Sequence, residues 1–194
     1  MKLLFPVLFL SQFLGWQAGI VPPAYPPDAI SGGTVVAVLH TAEGAVTSTE
    51  ILSGSDPFAQ AAQWALSRWR FDPYAPPNDT LVVVRFRARD AFSIGGTVPA
   101  MAPLQADTAL PYPTDMVEPA FPPGTSQPVD VVLLVEITAG GFVGAVRPVA
   151  PLGFVDETSM AAVMNWHFIP AHAPHGMPVA SQAYIVLAYP RPLQ

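Results

Sequence analysis

Apolar and polar positions follow the same order twice along this chain. In each half, a β-branched apolar run is followed by a glycine turn and a second run, then by apolar residues at helical spacing, and finally by another run. Alternation of period two is typical of strands, whereas spacings of three and four residues are typical of a helix with one buried face. The pattern predicts an α+β fold of two β-β-α-β units, each a three-stranded, mainly antiparallel sheet with one helix packed on one face.

The boundaries of these elements follow from glycine, proline and capping residues. Strands are predicted at residues 34–39, 45–52, 80–87, 129–137, 143–149 and 180–189. Asp56 and Asp156 are expected to cap the two helices, because a carboxylate accepts hydrogen bonds from free backbone N–H groups at a helix start. Pro148 cannot donate a ladder hydrogen bond, so its strand is expected at a sheet edge or a bulge.

Short motifs recur in the same register as the predicted elements. Pro-Ala-Tyr-Pro-Pro at residues 23–27 returns as Pro-Ala-Phe-Pro-Pro at residues 119–123. Trp-Arg-Phe-Asp-Pro at residues 69–73 returns as Trp-His-Phe-Ile-Pro at residues 166–170. Gly-Ala-Val and Gly-Phe-Val begin at Gly44 and Gly141 and are offset by 97 residues, as are the Trp motifs, whereas the proline motifs are offset by 96. Three landmarks in one register indicate a duplicated unit.

The duplication defines a domain organisation. We predict one domain at residues 20–92 and a second at residues 119–194. They are joined by residues 93–118, which are rich in proline and glycine, lack clear periodicity and are therefore expected to form a linker. The indole and phenyl rings of the repeated Trp-x-Phe motif are expected in the core of each domain. These structural residues are Trp69, Phe71, Trp166 and Phe168.

The amino-acid composition argues against several classes of function. Of the 194 residues, 51% are hydrophobic and only 11% are charged, against about 25% in a typical protein, which leaves little material for acid–base or metal chemistry. A net charge of −6 disfavours nucleic acid and anionic lipid as partners. The absence of cysteine excludes disulfides, thiolate nucleophiles and cysteine-based zinc sites.

The first residues resemble a secretory signal. Met1 and Lys2 form a basic start, and residues 3–10 form a short apolar core. We expect residues 1–19 to be a signal peptide and the protein to be periplasmic, secreted across the inner membrane. The alternative is an uncleaved anchor that leaves the protein attached to the inner membrane and facing the periplasm.

At its landmarks the sequence resembles the C-terminal domain of the TonB family. The pattern of that family includes an aromatic-Pro pair, a glycine turn before a valine, a helix, and Trp-x-Phe-x-Pro before a final strand that often follows Gly-x-Pro-Val. The matching elements are Tyr25-Pro26, Gly44-Ala45-Val46 and residues 69–73 in the first copy, and Phe121-Pro122, Gly141-Phe142-Val143, residues 166–170 and Gly176-Met177-Pro178-Val179 in the second. The first copy has Asn78-Asp79 in place of Gly-x-Pro-Val.

The resemblance implies a protein-binding role in the cell envelope. Domains of this family capture an extended "box" peptide of an outer-membrane transporter beside the third strand of their sheet, by β-augmentation. The implied peptide-binding residues lie on the predicted last strands, which are expected to be open edges: Val83, Arg85, Arg87, Gln182, Tyr184 and Val186. The implied partner is an envelope protein or peptide, in particular such a box segment.

Two alternatives remain open at this point. The two copies can pair edge to edge as a structural pseudo-dimer, which leaves no last strand free. The chain can also be a TonB-like energy transducer with an uncleaved anchor, although it lacks the long Pro/Lys linker that carries the family's domain across the periplasm.

Other polar residues give no chemical motif. Arg85, Arg87 and Arg89 alternate along and beyond one predicted strand, which suits either a solvated face or recognition of a carboxylate. His172 and His175 form a His-x-x-His in a loop, without an evident third ligand or scaffold for a metal. We predict no catalytic residue, no metal site and no cofactor, and therefore a protein that is not an enzyme.

Overall fold

The computed structural model describes residues 19–76, 78–89, 97–98, 109–121, 127–151 and 153–191. It confirms the α+β class, because two helices accompany a large, mainly antiparallel sheet. Within these ranges, neither helix is long and apolar enough to cross a membrane.

The elements are as follows in chain order. The first half contains β1 (Gly33–Ala42), β2 (Ala45–Ser53), α1 (Phe58–Leu66) and β3 (Asn78–Phe86). β4 (Thr97–Val98) and β5 (Tyr112–Val117) come next. The second half contains β6 (Val129–Ile137), β7 (Val143–Pro148), α2 (Phe154–Val163), β8 (His167–Ile169), β9 (Ala171–His172), β10 (Pro178–Val179) and β11 (Ser181–Tyr189).

The main sheet has six strands, in the order β2-β1-β3-β11-β6-β7. All neighbours are antiparallel except β3 and β11, which run parallel with Val83 beside Ile185. The two expected three-stranded sheets are therefore one continuous sheet. The expectation that β3 and β11 are open edges is wrong, because each strand is hydrogen-bonded to a neighbour on both sides.

The parallel contact places the two helices on opposite faces of the sheet. In parallel register, residues beside each other share a face, so Val82 and Val84 line one face with Val186, while Val83 lines the other with Ile185. The first face packs against α1 and Trp69; the second packs against Trp166 and the end of α2. Both faces of β3 and β11 are buried, because these two strands lie at the centre of the sheet and a helix covers each face.

Local boundaries differ from the predictions at both helix starts. Pro57 is the N-cap residue of α1, and the carboxylate of Asp56 instead accepts a 2.7 Å hydrogen bond from Nε2 of Gln60. α2 begins at Phe154 after Gly153, whose φ of 72° suits glycine, so Asp156 lies inside the first turn. An acidic residue there still stabilises the helix dipole. Pro148 lies in β7, which is an outer strand as predicted.

The segment expected to be a linker contributes to the core. β5 pairs with β8 in a small sheet of order β4-β5-β8, and its side chains Tyr112 and Met116 are buried. A register shift separates Pro113 from Asp115 in this pairing. Proline is tolerated at such an irregularity, so a proline-rich segment can contain a strand that its composition does not predict.

Candidate functional site

The repeated glycine and the repeated Phe make the same contact in each half. The carbonyl oxygen of Gly44 accepts a 2.7 Å hydrogen bond from N–H of Phe71, and that of Gly141 accepts a 2.8 Å bond from N–H of Phe168. The glycines have φ values of +73° and +81°. A Cβ on Gly44 would lie 2.7 Å from the Phe71 oxygen, and one on Gly141 would overlap the Phe168 oxygen. The spacing between these motifs therefore reflects direct contact.

The repeated tryptophans also make matching contacts. Both indoles are buried, and Nε1 of Trp69 donates to the carbonyl of Val21 at 2.8 Å, while Nε1 of Trp166 donates to the carbonyl of Val117 at 2.9 Å. Each tryptophan thus holds the chain just before an aromatic-Pro motif. Both indoles are fully used inside the fold and offer no surface for stacking a ligand.

The arginines of the predicted strand bind a carboxylate of the same chain. Arg85 contacts one oxygen of Glu118 through Nη2 at 2.6 Å and through Nε at 2.7 Å, and Arg87 contacts the other oxygen through Nη1 at 2.7 Å. The side chains of Arg87 and Glu118 are 2% and 7% exposed, so this cluster is excluded from water. The arginine forks are therefore occupied by an internal partner that joins the two halves.

Two arginines also hold the aromatic-Pro motifs. The guanidinium of Arg89 lies 5.2 Å from the ring of Tyr25, and that of Arg87 lies 5.3 Å from the ring of Phe121. Arg89 further donates to the carbonyl of Ala29 at 3.1 Å. The alternation of arginines in the sequence therefore marks interior contacts of both halves.

The candidates on the other last strand are also interior. Tyr184 packs edge-on against Trp69, with ring centroids 5.5 Å apart, and Val186 is fully buried, as is Val83 on β3. Gln182 pairs with Glu136 of β6. Val83, Tyr184 and Val186 have register partners on both neighbouring strands, whereas Gln182 precedes the residues of β11 that pair with β3.

The two histidines of the His-x-x-His pattern lie on different local elements. His172 lies in β9, and its Nδ1 is buried without a hydrogen-bond partner, whereas His175 lies in the following turn. In the part of the chain that the structure describes, no group of three or more His, Asp or Glu residues is arranged to hold a metal ion.

The candidate site consists of the outer strand β2 and a groove beside it. β2 and β7 are the outer strands of the six-stranded sheet. The groove has a volume of about 650 Å³, and three of its polar side chains form one cluster: Nδ1 of His40 lies 2.7 Å from Oδ1 of Asp79, and Nε2 lies 3.8 Å from Oε2 of Glu50. The hairpin pattern of the sequence is sufficient to predict that His40 and Glu50 share a face. It does not predict Asp79, which lies beside His40 through the pairing of β1 with β3.

The sequence was compared with known proteins. No protein-family model matches it, and no curated protein matches it. The resemblance to the TonB family therefore stays an expectation that depends on the sequence motifs alone.

Proposed function

We propose that this chain is a non-catalytic protein-binding module that captures an extended peptide by adding it as a strand to the outer edge of β2. The observation that carries this proposal is the contrast between the two outer strands of the main sheet. β2 is nine residues long, contains no proline and has one charged residue, Glu50. Such an edge offers unpaired backbone N–H and C=O groups that an extended peptide can join.

β7 lacks these properties. It has six residues and ends with Arg147 and Pro148, and a short strand with charge and proline resists pairing with another chain. On β2, by contrast, Thr47 and Ser48 are exposed, and among the described residues no strand pairs with its outer side. These differences favour β2 as the site of capture.

The TonB resemblance supports strand addition but at a different strand. In that family the peptide joins beside the third strand, which here corresponds to β3 and β11. Because β3 and β11 are paired with each other, neither offers a free edge to a peptide. We therefore place the captured peptide at β2. The partner that the resemblance suggests is an envelope protein, in particular the box segment of a TonB-dependent outer-membrane transporter.

A structural pseudo-dimer is the second candidate. It is favoured by the pairing of β3 with β11, which joins the two halves through their last strands. In this alternative the duplication serves only to close these edges, and β2 binds nothing.

We further propose that the protein acts in the periplasm after removal of residues 1–19. Ile20 and Val21 pack against the core around Trp69, so a mature chain that begins at Ile20 keeps these contacts. Mass spectrometry of the native protein tests this proposal. An intact N-terminus would overturn it and would favour the membrane-anchored transducer.

Amide NMR of the ¹⁵N-labelled protein tests the binding proposal. Titration with a panel of transporter box peptides is expected to shift amide signals of β2 (Ala45–Ser53) while those of β7 (Val143–Pro148) stay in place. A peptide that binds is then compared with two versions that are N-methylated at alternate residues. A captured strand donates backbone hydrogen bonds only from every second residue, so one version should lose binding and the other keep it.

The opposite results discriminate between the two candidates. If no peptide of the panel shifts the β2 amides at millimolar concentration, capture at β2 is wrong and the structural pseudo-dimer is favoured. If both methylated versions bind equally, binding does not use strand addition.

A further inference from the structure

The groove beside β2 has an apolar floor and wall. It lies on the sheet face that packs against Trp166, and Val38 and Leu52 belong to its lining together with Leu110 and Tyr112. The side chain of Tyr112 is hydrogen-bonded to that of Ser53, so this wall is fixed to the end of β2. A hydrocarbon chain can therefore lie along the groove without leaving polar groups unpaired.

Two acidic side chains, Glu50 and Asp79, line the groove. Glu50 and Asp79 have side chains that are 62% and 58% exposed, and no Lys or Arg is among the described residues that line the groove. Among the described residues, their only ion-pair partner is His40, which lies between them. Both carboxylates therefore remain accessible to a cation from outside.

The register of β2 directs a captured strand toward these carboxylates. Glu50 pairs with Val38 of β1, so its side chain is on the groove face, and that of Leu52 follows on the same face. In a β-ladder, side chains of directly opposed residues lie about 4.5–5.5 Å apart at Cβ and share a face. A residue opposite Glu50 in an added strand would therefore project its side chain over the groove.

We propose that this groove selects a basic side chain, arginine or lysine, on the peptide captured at β2. The hydrocarbon stem lies along Val38 and Leu52, and the cationic group lies on the solvent side of the His40 ring, beside the exposed carboxylates of Glu50 and Asp79. This inference rests on the proposed capture at β2 and specifies the chemistry of the captured peptide.

The residues that precede the wall in sequence lack the chemistry proposed for the occupant. Residues 99–108 precede the wall residue Leu110 in sequence and contain no Lys or Arg. They therefore lack the group that the two carboxylates would bind.

A positional peptide scan tests the proposal with the full chain. A box peptide that shifts the β2 amides is prepared with arginine, lysine or glutamine at each position in turn. At one position, arginine and lysine are expected to bind about three- to tenfold more tightly than glutamine, as for one or two partly exposed ion pairs. In the Glu50→Gln, Asp79→Asn double variant this ratio should fall to about one. Glu136→Gln, which removes a carboxylate from β6, should leave the ratio unchanged.

A single-residue probe separates this inference from strand capture. Acetyl-arginine methylamide is too short to form a strand. It is expected to shift the His40 ring signals at millimolar concentration in the wild type but not in the double variant. If the box peptides fail to bind at β2 while this probe shifts His40, the groove binds cations and the proposed function fails.

The remaining outcomes overturn the inference. If peptides bind at β2 with equal affinity for arginine and glutamine at every position, the groove does not select charge, although capture at β2 stands. If the probe shifts His40 equally in the wild type and the double variant, the two carboxylates are not the binding groups. If neither the peptides nor the probe bind, both proposals are wrong.

Discussion

Glu118 lies 2.7 Å from Arg87 in a site where both side chains are almost completely excluded from water. Glu118 belongs to the segment that precedes the second repeat, whereas Arg87 directly follows β3 of the first. The second carboxylate oxygen of Glu118 binds Arg85. One buried carboxylate therefore neutralises two arginines and connects the halves of the molecule.

Replacing Glu118 with glutamine should strongly destabilise the fold. The change removes the carboxylate that pairs with two buried or nearly buried guanidinium groups, and breaking a buried ion pair typically costs about 3–5 kcal/mol. Urea unfolding followed by circular dichroism measures the loss. The matched control is Glu136→Gln, because Glu136 pairs with Arg147 at 3.2 Å where both side chains are about half exposed, and an exposed pair contributes about 1 kcal/mol or less. Equal effects of the two changes would contradict the cluster.

Alanine at Gly141 should be more harmful than alanine at Gly176. Both glycines have a positive φ, +81° and +75°, which costs an L-residue roughly 1–2 kcal/mol. Only at Gly141 would the new Cβ also overlap the carbonyl oxygen of Phe168, whereas nothing lies within 4 Å at Gly176. We expect Gly141→Ala to lower the free energy of unfolding by about 1–3 kcal/mol more than Gly176→Ala.

The comparison isolates the close contact from backbone strain. Gly44→Ala should also exceed Gly176→Ala, since its Cβ would lie 2.7 Å from the Phe71 oxygen. Thermal unfolding of the three variants provides the measurement. Similar losses at all three positions would show that φ alone determines the requirement for glycine.

Asp130 should make the fold less stable as pH rises through the weakly acidic range. Burial raises the pKa of its carboxyl from 3.8 to about 6. The folded state therefore holds this proton more tightly than the unfolded state, so the penalty is absent below about pH 4 and complete above about pH 6. A shift of about two pKa units corresponds to roughly 2–3 kcal/mol.

Asp130→Asn should remove this part of the pH dependence. We expect the variant to be more stable than the wild type by up to about 2 kcal/mol at pH 7 and equal to it at pH 4, as measured by urea unfolding at each pH. Asp28 is exposed, and Asp28→Asn should leave the profile unchanged. A variant that keeps the wild-type difference between pH 4 and pH 7 would show that Asp130 is not its source.

Substitution of either buried tryptophan should shift one common unfolding transition. Trp69→Phe and Trp166→Phe each leave a carbonyl, of Val21 or Val117, without its indole donor, which costs about 1–3 kcal/mol. Because β3 and β11 contribute to both faces of one sheet, neither half can lose its core alone. Hydrogen exchange of β1 and β6 amides should report the same free energy in each variant. Separate transitions for the two halves would contradict a shared sheet.

Local sequence patterns predicted the elements better than their arrangement. β6 spans the residues that its apolar run predicted, because the pattern within a strand depends on its own two faces. The pairing of β3 with β11 could not be predicted in this way, since it joins residues about a hundred positions apart. Arg85 and Arg87 made the last strand look solvent-exposed, because an unpaired arginine is rarely buried. Their partner, Glu118, comes from outside the predicted domain.

The candidate site was missed for a related reason. His40 and Glu50 are ordinary residues of a hairpin when taken alone. Asp79 reaches the groove through the pairing of β1 with β3. Tyr112 reaches it from β5, a strand that the sequence pattern did not predict because prolines lie in and beside it. A site assembled from four separate segments leaves no motif in any one of them.

The parallel contact of β3 and β11 has a consequence for symmetry. A twofold axis parallel to two adjacent strands would turn the side chains of one strand to the opposite face, so two identical strands related in this way cannot form a parallel ladder in which paired residues share a face. Here Arg85 lies beside Leu187. Since both strands belong to one polypeptide, their association also does not depend on protein concentration. Fusion thus permits a heterologous interface, in which the first half supplies the cations and the segment before the second repeat supplies the anion.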